Sequence, residues 1–276
     1  MKIGLEFEFP LVRQDGSAAT YDDNIKLWEE WKKLGYTIKK DPYTQKIIGG
    51  YKKTPEGILE VGTDYPTCTF EVGLPPEKNL IAANKAWEKF LRKECLPTLD
   101  KYNLKLLGYG TQPVTRHLKK YMSPKGHYAI WNKLLPVKYN HWIRDKAIGF
   151  AGSQYNIDVP VEKIAEVSNT ITKLTCIVWG LSANDPISNS EITPFFSTRI
   201  MLYDRIARGH FFGRRTNFFT SDIKNLEDYI TRAWKGRIFE IIRNGQPHYP
   251  AKSAFSTWDF IKANKATFID LDGNKK

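Results

Sequence analysis

The segment Gly4-Leu5-Glu6-Phe7-Glu8-Phe9-Pro10 alternates apolar and acidic residues over the length of one strand. Strand side chains point to opposite faces in turn, so Leu5, Phe7 and Phe9 enter an apolar layer while Glu6 and Glu8 stand together on the other side. Adjacent carboxylates repel unless a cation or a basic group lies between them. Hard divalent metals such as Mg²⁺ take oxygen ligands, usually a few carboxylates together with substrate phosphates. A surface strand with two solvated acids is the plainer reading of this segment alone. The next strands shift the balance.

Residues 57–62 alternate, and so do residues 67–73 after a turn at Thr63-Asp64-Tyr65-Pro66. Leu59 and Val61 oppose Glu60; Cys68, Phe70 and Val72 oppose Thr67, Thr69 and Glu71. If both strands share a core with the first, Glu6, Glu8, Glu60 and Glu71 lie on one polar face, where Gly62 and Gly73 leave room for a ligand. Residues 153–158 form a further strand candidate that presents Gln154, Asn156 and Asp158 together. Carboxylates and amides on a sheet face suit a charged substrate with a metal. They suit a protein core badly, because buried charges need partners.

The chain has 276 residues, 41% of them hydrophobic, enough to bury a sizeable core in one large or two small domains. No apolar run is long enough to span a membrane, and the first residues enter a strand directly without a signal-peptide pattern. Cys68, Cys95 and Cys176 are odd in number and far apart, which suits reduced core residues of a cytoplasmic protein better than a disulfide frame or a zinc site. The net charge of +12 invites a nucleic-acid reading. The lysines are scattered, however, and the ordered motifs are acidic, so nucleic acid is an unfavoured partner.

Along the chain, residues 22–34 carry Ile25, Leu27, Trp28 and Trp31 at helical spacing before Gly35. Two short strands follow, near 36–39 and 46–51. Residues 79–102 read as a long helix kinked at Pro97, residues 104–110 as a strand and 129–135 as a short helix. Residues 161–181 predict a second long helix with Ile164, Val167, Ile171, Leu174 and Val178 as its buried face. Further helices are expected near 196–207, 223–234 and 258–263. Trp28, Trp31 and Trp87 read as core residues; His117 and His141 as structural or surface histidines. With no repeat, linker or composition break, the expectation is one domain over 1–276. Its class is α+β, an antiparallel sheet with helices packed on one face.

At these motifs the chain resembles the glutamate–cysteine ligase family and its carboxylate–amine ligase relatives. The carrying segments keep the family's order: residues 4–9; Thr63-Asp64-Tyr65 leading to Phe70-Glu71-Val72 and Pro75-Pro76; Leu107-Gly108-Tyr109-Gly110-Thr111-Gln112-Pro113; residues 151–158; Leu181-Ser182-Ala183-Asn184-Asp185-Pro186; and Ser197-Thr198-Arg199 with Arg208-Gly209. Residues 227–263 are similar at lower strength. The resemblance implies a fold like that of glutamine synthetase and the guanidino kinases, and an ATP- and Mg²⁺-dependent amide-forming ligation, as in glutathione biosynthesis. ATP phosphorylates the side-chain carboxylate of a glutamate-like acid, and an amine such as that of cysteine attacks the acyl phosphate. In these terms Glu6, Glu8, Glu71 and Glu60 hold Mg²⁺ or Mn²⁺, and Gln154 and Asn156 orient the substrate. Arg199 binds substrate and serves catalysis, and Arg208 does the same for the nucleotide phosphates. Arginine suits such clamping because its planar fork grips anions in pairs of bonds.

One departure from the family stands out. Its members usually continue into a strand bearing a Glu-x-Arg motif, whereas this sequence ends at Lys276, and Glu240 and Arg243 do not replace that motif. The expectation is a domain completed by a further segment or by a partner chain. The alternatives from other classes are a non-catalytic nucleotide- or amino-acid-binding or regulatory protein on the same fold, and a basic nucleic-acid-binding module.

Overall fold

A computed structural model describes residues 2–134, 149–200, 221–236, 238–252, 255–263 and 265–276. The architecture is mixed α/β with antiparallel sheets. The chain divides into two compact units, one taking in residues 2–128, 149–158 and 184–200, the other residues 129–134, 159–183 and the described residues from 221 on.

The first unit is built on β1 (Ile3–Arg13), whose alternation gives it one apolar and one acidic face. After α1 (Tyr21–Lys33) come β2 (Thr37–Lys40), β3 (Ile47–Thr54), β4 (Gly57–Thr63) and β5 (Thr69–Gly73); α2 (Leu80–Phe90) and α3 (Leu96–Lys101) precede β6 (Leu104–Leu106). The segment then enters α4 (Gly126–Leu134) and returns as β7 (Ser153–Ile157). The sheet order is β2-β3-β4-β5-β1-β6, with β7 also paired to β1. All these pairings are antiparallel. One edge of β1 thus takes β5, and the other is shared by β7 along residues 3–7 and β6 along residues 11–13.

Helices α1 and α2 close the apolar face. Thr20 caps α1 and forms a capping box with Asp23, and Gly35 follows the helix at φ +88°, a left-handed conformation that glycine takes without strain. Trp28 and Trp31 are fully buried, and the Trp31 ring lies 5.4 Å from Phe70. From α2, Trp87 packs 4.7 Å from Phe7 and stacks on Phe9 at 5.4 Å. The expected core tryptophans are therefore in place. The long helix predicted over 79–102 with a kink at Pro97 runs without a break from α2 into α3 through a π-helical turn at Leu91–Cys95. The wider turn stands where the ring of Pro97 would otherwise meet a carbonyl four residues back. A hairpin of β8 (Ile187–Ser188) and β9 (Glu191–Ile192) completes the described part of this unit.

The second unit contains α5 (Ile164–Ser182), α6 (Leu226–Trp234), a three-stranded sheet of β10 (Ile241–Arg243), β11 (Gln246–Pro250) and β12 (Phe268–Asp270), and α7 (Thr257–Lys262) between the last two strands. Ser256 and Asp259 form a capping box on α7. Asn169 of α5 exchanges two hydrogen bonds with the backbone of Ile223, at 2.8 and 2.9 Å. The apolar stripe predicted for α5 exists, but no residue of that helix is buried, and Ile171, Leu174 and Val178 are about half exposed. Periodicity locates an apolar stripe and does not say whether anything covers it. Cys68 and Cys95 are buried thiols as expected, whereas Cys176, on α5, is exposed and is not a core residue. Among the described residues no helix is long and apolar enough to cross a membrane.

Candidate functional site

Register places the sequence-predicted residues on one face of the main sheet. Glu8 of β1 lies opposite Glu71 of β5, and Glu6 opposite Gly73. On its other edge Glu6 faces Gln154 of β7, and Gly4 faces Asn156. Glu60 of β4 also lies opposite Gly73, and Gly62 opposite Glu71. Directly opposed residues share a face, so the four glutamates and two amides predicted from alternation all stand together. Gln154 donates to Glu6 at 2.7 Å and to Glu8 at 3.4 Å.

Glycines form the floor beside these acids. Gly49 of β3 has φ +153°, and a Cβ there would lie 2.3 Å from the Val61 carbonyl oxygen, so only glycine fits. A Cβ at Gly73 would meet nothing within 4 Å; its absence keeps the surface low. The result is a cleft of about 200 Å³ whose walls are Glu6, Glu60, Glu71, Lys39 and Lys125.

The electrostatics are those of crowded acids taken partly out of water. Burial, reinforced by Asp64, Glu71 and Glu6 and opposed by Arg199, pushes the Glu8 carboxyl up to about 8. Burial likewise pushes Glu71 up to about 7; Lys125 pulls it down while Asp64, Glu6 and Glu60 push it further up. Lys125 Nζ stands 3.8 Å from Glu71, and Lys39 pairs with Glu60 at the outer rim, both side chains about half exposed. These are the basic partners that the acidic alternation demands.

A divalent metal fits this donor set in kind. The donors are hard carboxylate oxygens, and Glu8 and Glu71 are held above their ordinary range by desolvation and by neighbouring acids, Asp64 and Glu6 among them, which a nearby cation would relieve. Among the described residues no three metal-binding side chains are already gathered about one point.

Arg199 comes to the same region by another route. Its Nη1 donates to the Ala151 carbonyl, its guanidinium lies 5.6 Å over the Phe150 ring, and its backbone N–H donates to Asp185 at 2.6 Å. Any Cβ on Gly152 would collide with that guanidinium, at 2.3 Å. The Gly152 carbonyl accepts from the Glu8 N–H at 2.8 Å. The arginine is thus seated on the backbone paired with Glu8 and lowers the cost of ionising it. Asp185 itself is pushed up by burial. Arg208 and His141 lie outside the described residues, and His117 is exposed.

Sequence reasoning missed part of the site. Asp64, in the β4–β5 turn, raises both Glu8 and Glu71 and accepts a 2.7 Å hydrogen bond from the Tyr128 hydroxyl. Burial, then Asp64, holds that phenol far above its ordinary range. His127, beside Lys125, is lowered chiefly by burial. Asp64 had a signal in the Thr63-Asp64-Tyr65 turn. Lys125, His127 and Tyr128 had none, because nothing in local spacing tells where an incoming loop lands.

Fold and face together define a mixed α/β protein whose main antiparallel sheet carries a carboxylate-lined, glycine-floored cleft. The profile of glutamate-cysteine ligase family 2 matches residues 2–223, most of the chain and every strand of that sheet. The chain belongs to this family and is an enzyme of the ligase type. No curated protein matches it significantly.

Proposed function

We propose that the protein is an ATP- and Mg²⁺-dependent ligase that joins the side-chain carboxylate of glutamate, or a similar acid, to an amine such as that of cysteine. The observation that carries this reading is the carboxylate face that Glu6 shares with the desolvated Glu8 and Glu71, within the family match. Phosphoryl transfer asks a protein mainly for positioning and charge neutralisation; this face would position a cation, and the cation would neutralise the phosphates. The fold is read as that of glutamine synthetase and the guanidino kinases, and the setting as the cytoplasm.

In this mechanism Glu6, Glu8 and Glu71 would hold Mg²⁺, with Glu60 at the rim. A bound metal would supply neutralisation of the charge on the nucleotide phosphates. Gln154 keeps Glu6 and Glu8 in register through its amide and, with Asn156, presents neutral hydrogen-bonding groups to the substrate. Arg199 lies where a developing negative charge next to Glu8 would be stabilised, and Arg208 is assigned to the phosphates. The γ-phosphoryl passes to the substrate carboxylate, giving ADP and an acyl phosphate. Attack by the free amine then releases phosphate and leaves the amide.

The test is phosphate release from ATP with glutamate and a panel of amines. Release that requires Mg²⁺, the acid and an amine together, and that falls about 10²-fold or more in Glu8→Gln, supports the reading. A chain that binds Mg²⁺ and nucleotide but forms no amide with any acid–amine pair would overturn it.

A further inference from the structure

One buried carboxylate ties the turn after β2 to the entry of α4. Asp41 is only 6% exposed. Its Oδ1 accepts from the backbone N–H groups of Tyr43 at 3.0 Å and Thr44 at 2.8 Å, closing its own turn. Its Oδ2 accepts from the Gly126 N–H at 3.0 Å. Gly126 opens α4, so this donor has no acceptor inside the helix, and a carboxylate at that end is favoured by the helix dipole. Two further contacts fasten the same junction. The Thr44 hydroxyl donates to the Pro124 carbonyl at 2.6 Å, and the Tyr43 side chain fills the space at Gly126, where a Cβ would lie 2.9 Å away.

The backbone is therefore clamped at residue 124 and at residue 126, and the residue between is Lys125. Its side chain is 17% exposed, with Nζ 3.8 Å from Glu71 and 5.6 Å from the Tyr128 ring centroid. Lysine carries its charge on a flexible stem, so a fixed position over the cleft requires a fixed backbone below it. Lys39, which also lines the cleft, is about half exposed at the rim.

We propose that Lys125 is a further anion-binding group of the cleft, beside the arginines, and that Asp41 is the positioning residue that holds it there. When metal takes Glu71, the ammonium group turns from that carboxylate to the phosphate oxygens that arrive with the metal. The proposal rests on the reading of this face as a Mg²⁺–nucleotide site.

The experiment combines lysine acetylation by acetic anhydride, read residue by residue by mass spectrometry, with calorimetric binding of Mg²⁺·ATP. It uses the full chain as wild type, Asp41→Asn, Lys125→Ala and the double variant. Asp41→Asn is expected to raise Lys125 acetylation several-fold and leave the exposed Lys33 and Lys101 unchanged. Each single variant is expected to weaken Mg²⁺·ATP binding by about tenfold, the scale of one charged contact, and the double variant no more than Lys125→Ala alone. Should Asp41→Asn fail to fold, Thr44→Val loosens the same clamp and is expected to act in the same direction. Unchanged Lys125 acetylation, or losses that multiply in the double variant, overturn the positioning role. Undiminished Mg²⁺·ATP binding by Lys125→Ala overturns the anion-binding role and leaves the proposed function standing. Absence of Mg²⁺·ATP binding by the wild type overturns the proposed function instead, and the acetylation pattern then decides by itself whether Asp41 holds Lys125.

Discussion

Replacing Glu8 by glutamine should stabilise the metal-free protein at alkaline pH while abolishing most of its response to Mg²⁺. A carboxyl held up at about 8, against an ordinary 4.5, favours the folded state fully below about pH 4.5. That contribution is lost as pH rises through about 8, because the ionised group is then crowded by Asp64, Glu71 and Glu6. The ceiling of the loss is about 5 kcal/mol, and water reaching a partly buried face reduces it to about 1–3 kcal/mol. Glutamine keeps the shape and cannot ionise, so it escapes the loss. Urea unfolding in EDTA at pH 5 and pH 9 is the assay: Glu8→Gln should match the wild type at pH 5 and exceed it at pH 9 by about 1–3 kcal/mol. Millimolar Mg²⁺ at pH 9 should reverse the order, because binding to the folded state stabilises only the chain that retains the ligand. A glutamine variant equally or less stable at pH 9 without metal would refute the claim that this face stores carboxylate repulsion.

Three further outcomes follow from the geometry. Arg199→Lys should lower kcat/KM nearly as far as Arg199→Ala, about 10²-fold, since lysine cannot both seat on the Ala151 carbonyl and face Glu8; near-normal turnover in the lysine variant would make Arg199 a simple surface charge. Gly152→Ala should act like the Arg199 variants while its urea midpoint stays close to that of the wild type, because the added methyl displaces the guanidinium; unchanged turnover would show that the seat is unimportant. Trp31→Ala should cost about 3–5 kcal/mol by denaturant unfolding. Trp31→Phe should cost under about 1.5 kcal/mol, because the buried indole N–H finds no hydrogen-bond partner among the described residues.

How much of this site is legible in sequence depends on whether the information is local. Strand alternation is local: with Leu5, Phe70, Val72 and Val61 buried on one face, a slip of one residue would bury Glu6, Glu8 and Glu71, so register and the acidic face follow together. Helix signals are local too, and Thr20 with Asp23 marks the start of α1 where the spacing of Trp28 and Trp31 expects it. The π-helical turn before Pro97 and the exposed stripe of α5 escaped for opposite reasons. The first is a backbone compromise inside a segment whose pattern is otherwise helical, and the second a surface whose neighbours periodicity does not name. Of the groups that make the carboxylates tolerable, Lys125 was illegible because it arrives from afar, whereas alternation placed Gln154 on this face and the family resemblance named Arg199. Lys125 meets Glu71 across 54 positions of the chain, and Gln154 meets Glu6 across 148. A row of like charges on one strand therefore states a requirement for counter-charge without naming its source. Here the source is a lysine and an arginine, set by loop and backbone contacts that no single-strand pattern contains, while the neutral amide of Gln154 adds hydrogen bonds from the neighbouring strand. They only partly meet the requirement, since Glu8 and Glu71 remain well above their ordinary range; a residual deficit of positive charge is what a cleft built to receive a cation should retain.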